Sequence, residues 1–436
     1  MKSSTLLTLV LLAVPVFAAT PSLLRAQSTE ASAEALYKEA ADYPSKKRAE
    51  LRAQGKRLDR VANERIRGEQ RQLAARLSAL LAARSNLAGV DFYYLGRLHD
   101  LADKSDDVMK AMRRFLAEKP TPGGAAAQSA RYTITVYGAR KKFLDEAESM
   151  LAEYLRQEPQ SPHNRCQMEL ELAMAQIKAK QYDRAVAHAG EAFRGAKLLK
   201  PDRGVSAGDL DDWIVEAGAT LAEAYTGMKR KEEALTAIVE LYQRAFDLPS
   251  ASLYRQLSRR FADREREVEA ALKKLEATGR SLAPELAVAE WIDQEPVSLA
   301  DLRGSVVLLD FWYEWCGPCR AAFPTLKGWS KKYRDKKFVL LGLTELQGEI
   351  DGQVMTVQQE LEFLRKFKRQ YGLPYGFAIG DTRANQRLYG VSAYPTAVLI
   401  DRRGVVRHIS IGYSTVEMNN LQAMIEKLLK EPTPTS

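Results

Sequence analysis

The hydrophobic positions of this chain follow two different periods, and the change between them falls near residue 280. From about residue 28 to 275, apolar side chains recur every three to four residues, which predicts amphipathic helices. After Gly279 the helical pattern breaks, and apolar runs such as "SVVLLDFWY" and "KFVLLGLTE" alternate with helical stretches. This alternation predicts a sheet flanked by helices. Residues 306–309 and 397–400 are apolar throughout, as expected of central strands that are covered on both faces.

The helical part of the chain contains a loose repeat. The stretches "YGARKKFLDEAESMLAEYLRQEP", "LAMAQIKAKQYDRAVAHAGEAF" and "LAEAYTGMKRKEEALTAIVELY" each pair a helix of small residues with a second helix that carries an early alanine, at Ala147, Ala185 and Ala234. The pattern resembles tetratricopeptide-type helical hairpins. That resemblance implies a concave surface on which a protein partner docks. A structural spacer or a dimerisation arm is the open alternative.

The N-terminus has the pattern of an export signal. Lys2 precedes an apolar run over residues 5–17. Small residues follow, and they make Ala18 and Ala26 the candidate cleavage positions. The run is shorter than the roughly 20 apolar residues that a membrane-spanning helix needs. We therefore expect a cleaved signal peptide and a mature protein that is extracytoplasmic (periplasmic or secreted) and does not span the membrane. The predicted organisation is a signal peptide at 1–26, an all-α helical-repeat domain at 27–279, an α/β domain at 280–431 and a disordered tail at 432–436.

The net charge does not indicate a nucleic-acid partner. The chain carries 65 Lys and Arg against 56 Asp and Glu, a formal charge of +9. The two signs alternate along the predicted helices, which is typical of a solvated helix surface. No nucleic-acid-binding module is recognisable, and we expect no nucleic-acid partner.

The stretch "DFWYEWCGPCRAAFP" contains a Cys-x-x-Cys pair, Cys316 and Cys319. A structural zinc ion needs four ligands, and His408 is the one histidine of the predicted α/β domain, so no metal is expected. A structural disulfide here would close too small a loop to stabilise the fold much. The pair instead follows a strand and opens a helix, where unpaired N–H groups and the helix dipole stabilise a thiolate. We predict that Cys316 is the attacking nucleophile and that Cys319 resolves the mixed disulfide.

The third cysteine, Cys166, lies far away in the helical stretch "HNRCQMELELAMAQ". We expect a buried, inert thiol there. A resolving role or an intermolecular disulfide is the alternative.

The sequence around the cysteine pair resembles a known family. The string Trp-Cys-Gly-Pro-Cys resembles the thioredoxin active site, and "APELAVAEW" upstream and "AYPTAVLIDRRG" downstream resemble the TlpA/ResA group of exported thiol–disulfide oxidoreductases. This resemblance covers roughly residues 280 to 430 and implies a thioredoxin-like fold of the AhpC/TSA-redoxin superfamily. It also implies a redox-active Cys316–Cys319 disulfide that works without a cofactor.

The resemblance further implies roles for residues outside the cysteine pair. Asp310 matches a buried acid that handles the proton of the second thiol, and Pro395 matches a cis-proline whose backbone pairs with substrate. Gly412 matches a glycine that lets substrate approach closely. The residues that the resemblance assigns to substrate binding are Trp315, Gly317, Pro318, Tyr394, Pro395 and Gly412.

At other positions the chain differs from its relatives. Many TlpA-like proteins carry asparagine where this chain has Asp310, and Tyr394 is bulkier than the aliphatic residue usual in thioredoxins. Some ResA-like proteins have a glutamate after the third strand. Glu345 and Glu349 are the candidates here, and we expect each to be a solvated loop carboxylate. Tyr313 occupies the place of the threonine that peroxiredoxins need, so no peroxidase activity is expected.

These observations favour an exported enzyme that reduces protein disulfides through Cys316 and Cys319. Its expected partners are protein disulfide substrates, a membrane thiol reductase as electron donor, and a protein bound to the helical repeats. The alternative is a binding scaffold in which the repeats do the work and the thioredoxin-like domain is a docking module.

Overall fold

The structure of the chain is a computed structural model that describes residues 31–56, 58–200, 207–275, 282–350, 352–380 and 383–433. The side chains of residues 207, 208 and 273–275 are outside this description as well. The predicted signal peptide at 1–26, the predicted boundary at 279/280 and the end of the predicted tail lie outside the described residues. Those predictions remain expectations.

The described chain is helical up to residue 275 and mixed α/β after residue 282, so the predicted fold class is confirmed. Two compact units, Met1–Val108 and Met109–Ser436, make up the chain. The helices of the first part are α1 (Ala33–Ala53), α2 (Arg60–Ala82), α3 (Val90–Leu101), α4 (Ser105–Ala117), α5 (Ala125–Arg140), α6 (Leu144–Leu155), α7 (Pro162–Lys178), α8 (Tyr182–Leu198), α9 (Ala207–Gly227), α10 (Lys231–Asp247), α11 (Ala251–Arg260) and α12 (Glu265–Leu275).

Within the described residues, the pairs α3–α4, α5–α6, α7–α8 and α9–α10 share a three-residue connection. The N–H of the third connecting residue donates to the carbonyl five positions earlier, as from Gln181 to Gln176 at 2.9 Å. This bond ends the first helix of each pair in the Schellman manner. The middle residue of each connection has a positive φ: Asp103, Lys142, Lys180 and Lys229. The predicted helical hairpins are thus present, and their assignment to the tetratricopeptide family stays a prediction.

A six-stranded sheet forms the C-terminal part, in the order β1-β6-β3-β2-β7-β8. Strands β2, β3 and β6 are parallel, whereas β1, β7 and β8 run antiparallel to their neighbours. The elements are β1 (Glu290–Ile292), β2 (Val306–Phe311), α13 (Gly317–Lys332), β3 (Phe338–Glu345), β4 (Glu349–Ile350), β5 (Gln353–Val354), α14 (Val357–Tyr371), β6 (Gly376–Gly380), α15 (Ala384–Leu388), β7 (Thr396–Ile400), β8 (Val406–Ile411) and α16 (Thr415–Lys430).

Both faces of this sheet are buried, and different helices cover them. Leu308 and Trp312 of the β2 region belong to one core together with residues of α13, α14 and α16. Leu309 and Phe311 belong to a second core, which continues into the helical hairpins through α10, α11 and α12. Successive residues of a strand face opposite sides, so the two cores lie on opposite faces of the sheet. The expectation that β2 and β7 are covered on both faces is confirmed.

No helix among the described residues is long and apolar enough to cross a membrane.

Candidate active site

The cysteine pair lies at the start of α13. Cys316 is the N-cap residue, and its Sγ accepts a hydrogen bond from the Cys319 N–H at 3.2 Å. Gly317 and Pro318 form the first turn, where proline is tolerated because the N–H it lacks has no partner within the helix. The two cysteines form a disulfide, with their Cα atoms 5.3 Å apart, and both are buried. The reduced Cys316 would therefore lie against backbone N–H groups and the positive end of the helix dipole, which favour its thiolate.

Asp310 lies in β2, the strand that leads into this helix start. It is two residues from both Leu308 and Trp312, so its side chain lies on the face of the sheet whose core includes Cys316 and Cys319. The side chain is 3% exposed, and its Oδ2 atom has no hydrogen-bond partner among the described residues. Burial raises the pKa of Asp310 to about 7. A carboxyl group with that pKa can both take up and release a proton near neutral pH.

The predicted cis-proline lies in the segment that leads into β7. The Tyr394–Pro395 peptide bond is cis, and the Pro395 carbonyl accepts a hydrogen bond from the Gly412 N–H at 2.8 Å. Gly412 has a φ of +85°, and a Cβ atom there would meet nothing within 4 Å. The backbone next to Pro395 is therefore open on the Gly412 side.

Three aromatic rings adjoin the cysteines and the cis-proline. Tyr313 stacks on Trp315 with ring centroids 5.2 Å apart, and Tyr394 meets Tyr313 edge to face at 4.7 Å. Trp315 is 54% exposed, whereas Tyr313 is buried. The structure thus brings the predicted substrate residues Trp315 and Tyr394 together, and Tyr313, which the sequence did not assign to the site, joins them.

A polar chain from the segment between β3 and α14 holds the Trp315 ring. The indole N–H of Trp315 donates to Gln347 at 3.1 Å, and the amide of Gln347 donates to both carboxylate oxygens of Glu314 at 2.9 and 3.0 Å. The backbone N–H groups of Gln347 and Gly348 donate to the buried carboxylate of Glu360 in α14, at 2.6 and 3.0 Å. The sequence contains no signal for these contacts because this segment has neither helical nor strand periodicity.

The expectation for Glu345 was wrong. Glu345 is the last residue of β3, is 3% exposed, and contacts the position where a Cβ of Gly380 would lie, at 3.3 Å. Burial, the neighbouring Tyr394 and the charge of Glu345 raise the pKa of Tyr313, so Glu345 lies within electrostatic range of the aromatic rings. The strand ends where the apolar run predicted, but its last residue is packed inside the fold and does not lie in a solvated loop. Glu349 begins β4 and is exposed, as expected.

The remaining candidates lie apart from this site. Among the described residues, no group of three or more His, Cys, Asp or Glu side chains is arranged to hold a metal ion.

Cys166 is a free, buried thiol in α7 that donates to the Ala192 carbonyl at 3.3 Å. Burial raises the pKa of Cys166 to about 12, which suits an inert thiol.

Comparisons with known proteins match the C-terminal part of the chain. Residues 280–409 match the AhpC/TSA family. A thiol-disulfide oxidoreductase, ResA of Bacillus thuringiensis (strain Al Hakam), is 31% identical over 152 residues, which are 35% of this chain and 77% of ResA. The protein DipZ of Mycobacterium tuberculosis is 29% identical over 168 residues, which are 37% of this chain and 22% of DipZ.

The chain thus spans about a fifth of the length of DipZ and three quarters of the length of ResA. A Chlorobium tepidum structure described as the thiol:disulfide interchange protein DsbE is 32% identical, covers 34% of this chain and 95% of its own, and superposes with a TM-score of 0.29. On its identity to ResA over most of that protein's length, and with a Cys-Gly-Pro-Cys pair at the start of a helix, the chain belongs to the ResA family of thioredoxin-like thiol–disulfide oxidoreductases.

Proposed function

We propose that this protein reduces disulfide bonds of protein substrates outside the cytoplasm. The observation that carries the proposal is the Cys316–Cys319 disulfide at the N-terminus of α13, with the buried carboxyl group of Asp310 on the same face of the sheet. Membership of the ResA family supports thiol–disulfide chemistry. The direction of electron flow, the roles of single residues and the location are part of the proposal.

The reaction proceeds by two thiol–disulfide exchanges. The Cys316 thiolate attacks one sulfur of the substrate disulfide, forms a mixed disulfide with it, and releases the other substrate sulfur as a thiolate that takes a proton from solvent. The Cys319 thiolate then attacks the Cys316 sulfur and displaces the second substrate thiolate. Two electrons pass from the Cys316–Cys319 dithiol to the substrate, and the oxidised pair remains.

Asp310 serves as the base that prepares Cys319 for the second exchange. A thiol resolves the mixed disulfide only as its thiolate, and a carboxylate with a pKa of about 7 accepts the thiol proton at neutral pH. For Asp310→Asn we expect resolution to slow at least about tenfold at pH 8, and the rise in rate through pH 7 to disappear. Stopped-flow measurement of resolution from pH 6 to 9 tests this, with the exposed Asp335→Asn as the control. Unaltered kinetics across that range would remove Asp310 from the mechanism.

The direction of electron flow is tested by the reduction potential of the cysteine pair. The Gly-Pro spacer and Asp310 favour a value near that of reducing thioredoxins, about −270 mV, over the roughly −120 mV of strong oxidants. Equilibration with glutathione or dithiothreitol buffers measures it. A potential more positive than about −180 mV would exclude the reductase.

Activity itself is tested by the reduction of insulin disulfides. We expect wild-type protein with a dithiol donor to reduce insulin, and Cys316→Ser to be inactive because it lacks the nucleophile. Cys319→Ser should instead accumulate the mixed disulfide, and in the native cell envelope it would trap the substrates for identification. Equal rates for wild type and Cys316→Ser would favour the binding scaffold.

Location and electron supply follow from the same proposal. An extracytoplasmic reductase needs electrons from across the membrane, so we expect a membrane thiol reductase to reduce the Cys316–Cys319 disulfide. N-terminal sequencing of the protein from fractionated cells tests export. A mature chain that begins at or before residue 27 in the extracytoplasmic fraction agrees with the proposal, and a full-length chain confined to the cytoplasm does not.

A further inference from the structure

The N-terminus of α11 is joined to the loop that precedes the cis-proline. The Ala251 N–H donates to the Tyr389 carbonyl at 3.0 Å, and the Ser252 N–H donates to the Gly390 carbonyl at 2.9 Å. The first N–H groups of a helix have no partner within it, so these two bonds use donors that α11 would otherwise leave open. A helix of the repeat region therefore binds the backbone of the thioredoxin-like part directly.

Side chains make the same junction close-packed. Gly390 has a φ of +54°, and a Cβ atom there would come within 2.5 Å of Ser250 Oγ and 2.8 Å of Ser250 Cα. Ser250 is fixed in turn, because its hydroxyl donates to the Asp211 carboxylate of α9 at 2.7 Å and accepts from the Leu253 N–H at 3.1 Å. Only glycine fits at residue 390 while Ser250 stays in place.

One more polar contact follows along the loop. The guanidinium group of Arg255 in α11 donates to the Ser392 hydroxyl at 3.2 Å. Ser392 is two residues before Tyr394, so contacts from α11 and its N-cap residue Ser250 reach from Tyr389 to the edge of the cis-proline segment.

The other side of the loop is tied to the active site. The Val391 N–H donates to the Gln386 carbonyl at 2.7 Å, and the Gln386 amide donates to the Tyr313 hydroxyl at 3.4 Å. Tyr313 in turn packs edge to face against Tyr394. The loop is thus clamped between the repeat helices and the aromatic rings of the site.

We propose that α11 positions the cis-proline segment for substrate, with Ser250 and Arg255 as positioning residues. This inference rests on the proposed function, since it concerns how a protein substrate is held while Cys316 attacks. Residues 389–393 connect α11 to Tyr394 and Pro395, whose backbone would pair with the substrate chain. None of the junction bonds involves Cys316, Cys319 or Asp310. The junction therefore governs the binding of an extended protein substrate and leaves the exchange chemistry unchanged.

Two variants disturb the junction from opposite sides, and each has a matched control. Gly390→Ala places a methyl group against Ser250, and Gly89→Ala puts the same residue at the same φ of +54° where nothing lies within 4 Å. Ala251→Pro removes the donor to Tyr389 at the first position of α11, where proline is compatible with a helix. Ala33→Pro makes the same change in α1, at another buried alanine after a serine N-cap.

We expect both junction variants to raise KM for insulin about fivefold or more, with kcat within about twofold of wild type and the reduction potential unchanged. Their rate with a small disulfide, 5,5′-dithiobis(2-nitrobenzoate), should not change, because that substrate does not need the cis-proline segment. Hydrogen exchange at residues 391–396 and at the Gly412 amide should accelerate. The two control variants should match wild type in all of these measurements.

The inference is overturned if KM for insulin and the exchange at residues 391–396 stay at the control values. It is also overturned if the small disulfide reacts more slowly in step with insulin, since that pattern indicates general damage to the site. Should either variant fail to fold, Arg255→Leu removes an exposed contact only, and a KM equal to wild type would count against the proposal. If wild-type protein does not reduce insulin, the proposed function fails, and the exchange measurement still decides the positioning role.

Discussion

Asp310 and Asp401 show how much the surroundings of a buried carboxyl group determine its chemistry. Both side chains are 3% exposed. Burial raises the pKa of Asp401 too, but the Arg407 guanidinium at 2.8 Å and the Val405 N–H at 3.0 Å outweigh burial and lower it. Asp310 has no cation among the causes that shift its pKa, and it titrates near pH 7. The Asp401 carboxylate therefore holds Arg407 and Val405 in place, whereas the Asp310 carboxyl group is available to carry a proton.

For Asp310→Asn we predict a gain in stability that grows with pH. The pKa of Asp310 is raised from 3.8 to about 7 in the fold. The contribution of this group to the free energy of unfolding is therefore fully present below about pH 4 and is lost as pH rises to about 7. The total loss is on the order of 4 kcal/mol. Asparagine cannot ionise and should escape that loss. Denaturant unfolding of the oxidised protein at pH 4, 6 and 8 measures the difference between the two proteins.

Asp401→Asn is the matched control for this prediction. Its pKa is lowered in the fold, so its stabilising effect is present at neutral pH and is lost as pH falls through the folded pKa. The variant should therefore be less stable than wild type at pH 8. If the unfolding free energies of Asp310→Asn and wild type differ by the same amount at every pH from 4 to 8, the assignment of a raised pKa is contradicted.

At the scale of single elements, the hairpin connections carry a repeated strain. Lysine occupies the left-handed middle position in three of the four described connections, at Lys142, Lys180 and Lys229. Glycine adopts this conformation without steric cost, whereas a side chain costs roughly 1 kcal/mol there. Each connection is otherwise the regular end of a helix.

We predict that Lys180→Gly stabilises the protein by about 0.5–1 kcal/mol, because glycine relieves the positive φ of 59°. Lys178→Gly, two residues earlier and inside α7, should destabilise it by about 1 kcal/mol, since glycine is a poor helix former. Urea unfolding of both variants measures the effects. A loss of stability in Lys180→Gly similar to that of Lys178→Gly would show that the connection is not strained.

The segment between β3 and α14 supports Trp315, which belongs to the candidate active site. We predict that Gln347→Leu lowers the near-UV circular dichroism of the stacked Tyr313–Trp315 pair and costs about 1 kcal/mol of stability, because the indole loses its acceptor. Gln353→Leu, at an exposed position of β5, is the control. A Gln347→Leu spectrum that equals wild type would mean that stacking alone holds the ring.

At the scale of the whole molecule, the repeat helices complete the thioredoxin-like part. Leu253 and Leu257 of α11 and Phe246 of α10 belong to the same buried core as Leu309 and Phe311 of β2. Helices α10 and α11 both contact β8. The face of the sheet opposite α13 would be exposed without them, and exposed apolar faces of this kind are unstable in water.

We therefore predict that a fragment starting at residue 282 does not unfold cooperatively, whereas a fragment starting at residue 109 does. The shorter fragment should bind the dye 8-anilinonaphthalenesulfonate, because the Leu309 and Phe311 side of the sheet loses its cover. Calorimetry and dye binding on both fragments check this. If the shorter fragment unfolds in a sharp transition at the unfolding temperature of the wild-type protein, the repeat helices are dispensable for its fold.

Several parts of the fold could be predicted because their signals are local. The apolar runs of β2, β3 and β7 lie where the sequence placed them. Strands β1 and β6 were missed. Strand β1 has three residues and β6 begins and ends with glycine, so neither has a run long enough to show alternation. Their pairing with each other and with β3 comes from contacts distant in sequence.

The sequence by itself determined the order of helical and α/β parts, the hairpin pattern, and the placement of Cys316 and Cys319 at a helix start, since periodicity and helix-terminus chemistry depend on neighbours in the chain. Tertiary structure alone decided that Glu345 is buried, that Gln347 holds Trp315, and that α11 meets the loop before Pro395. Each of these depends on how closely residues far apart in sequence approach, and on the water that this packing excludes. No local pattern records either quantity.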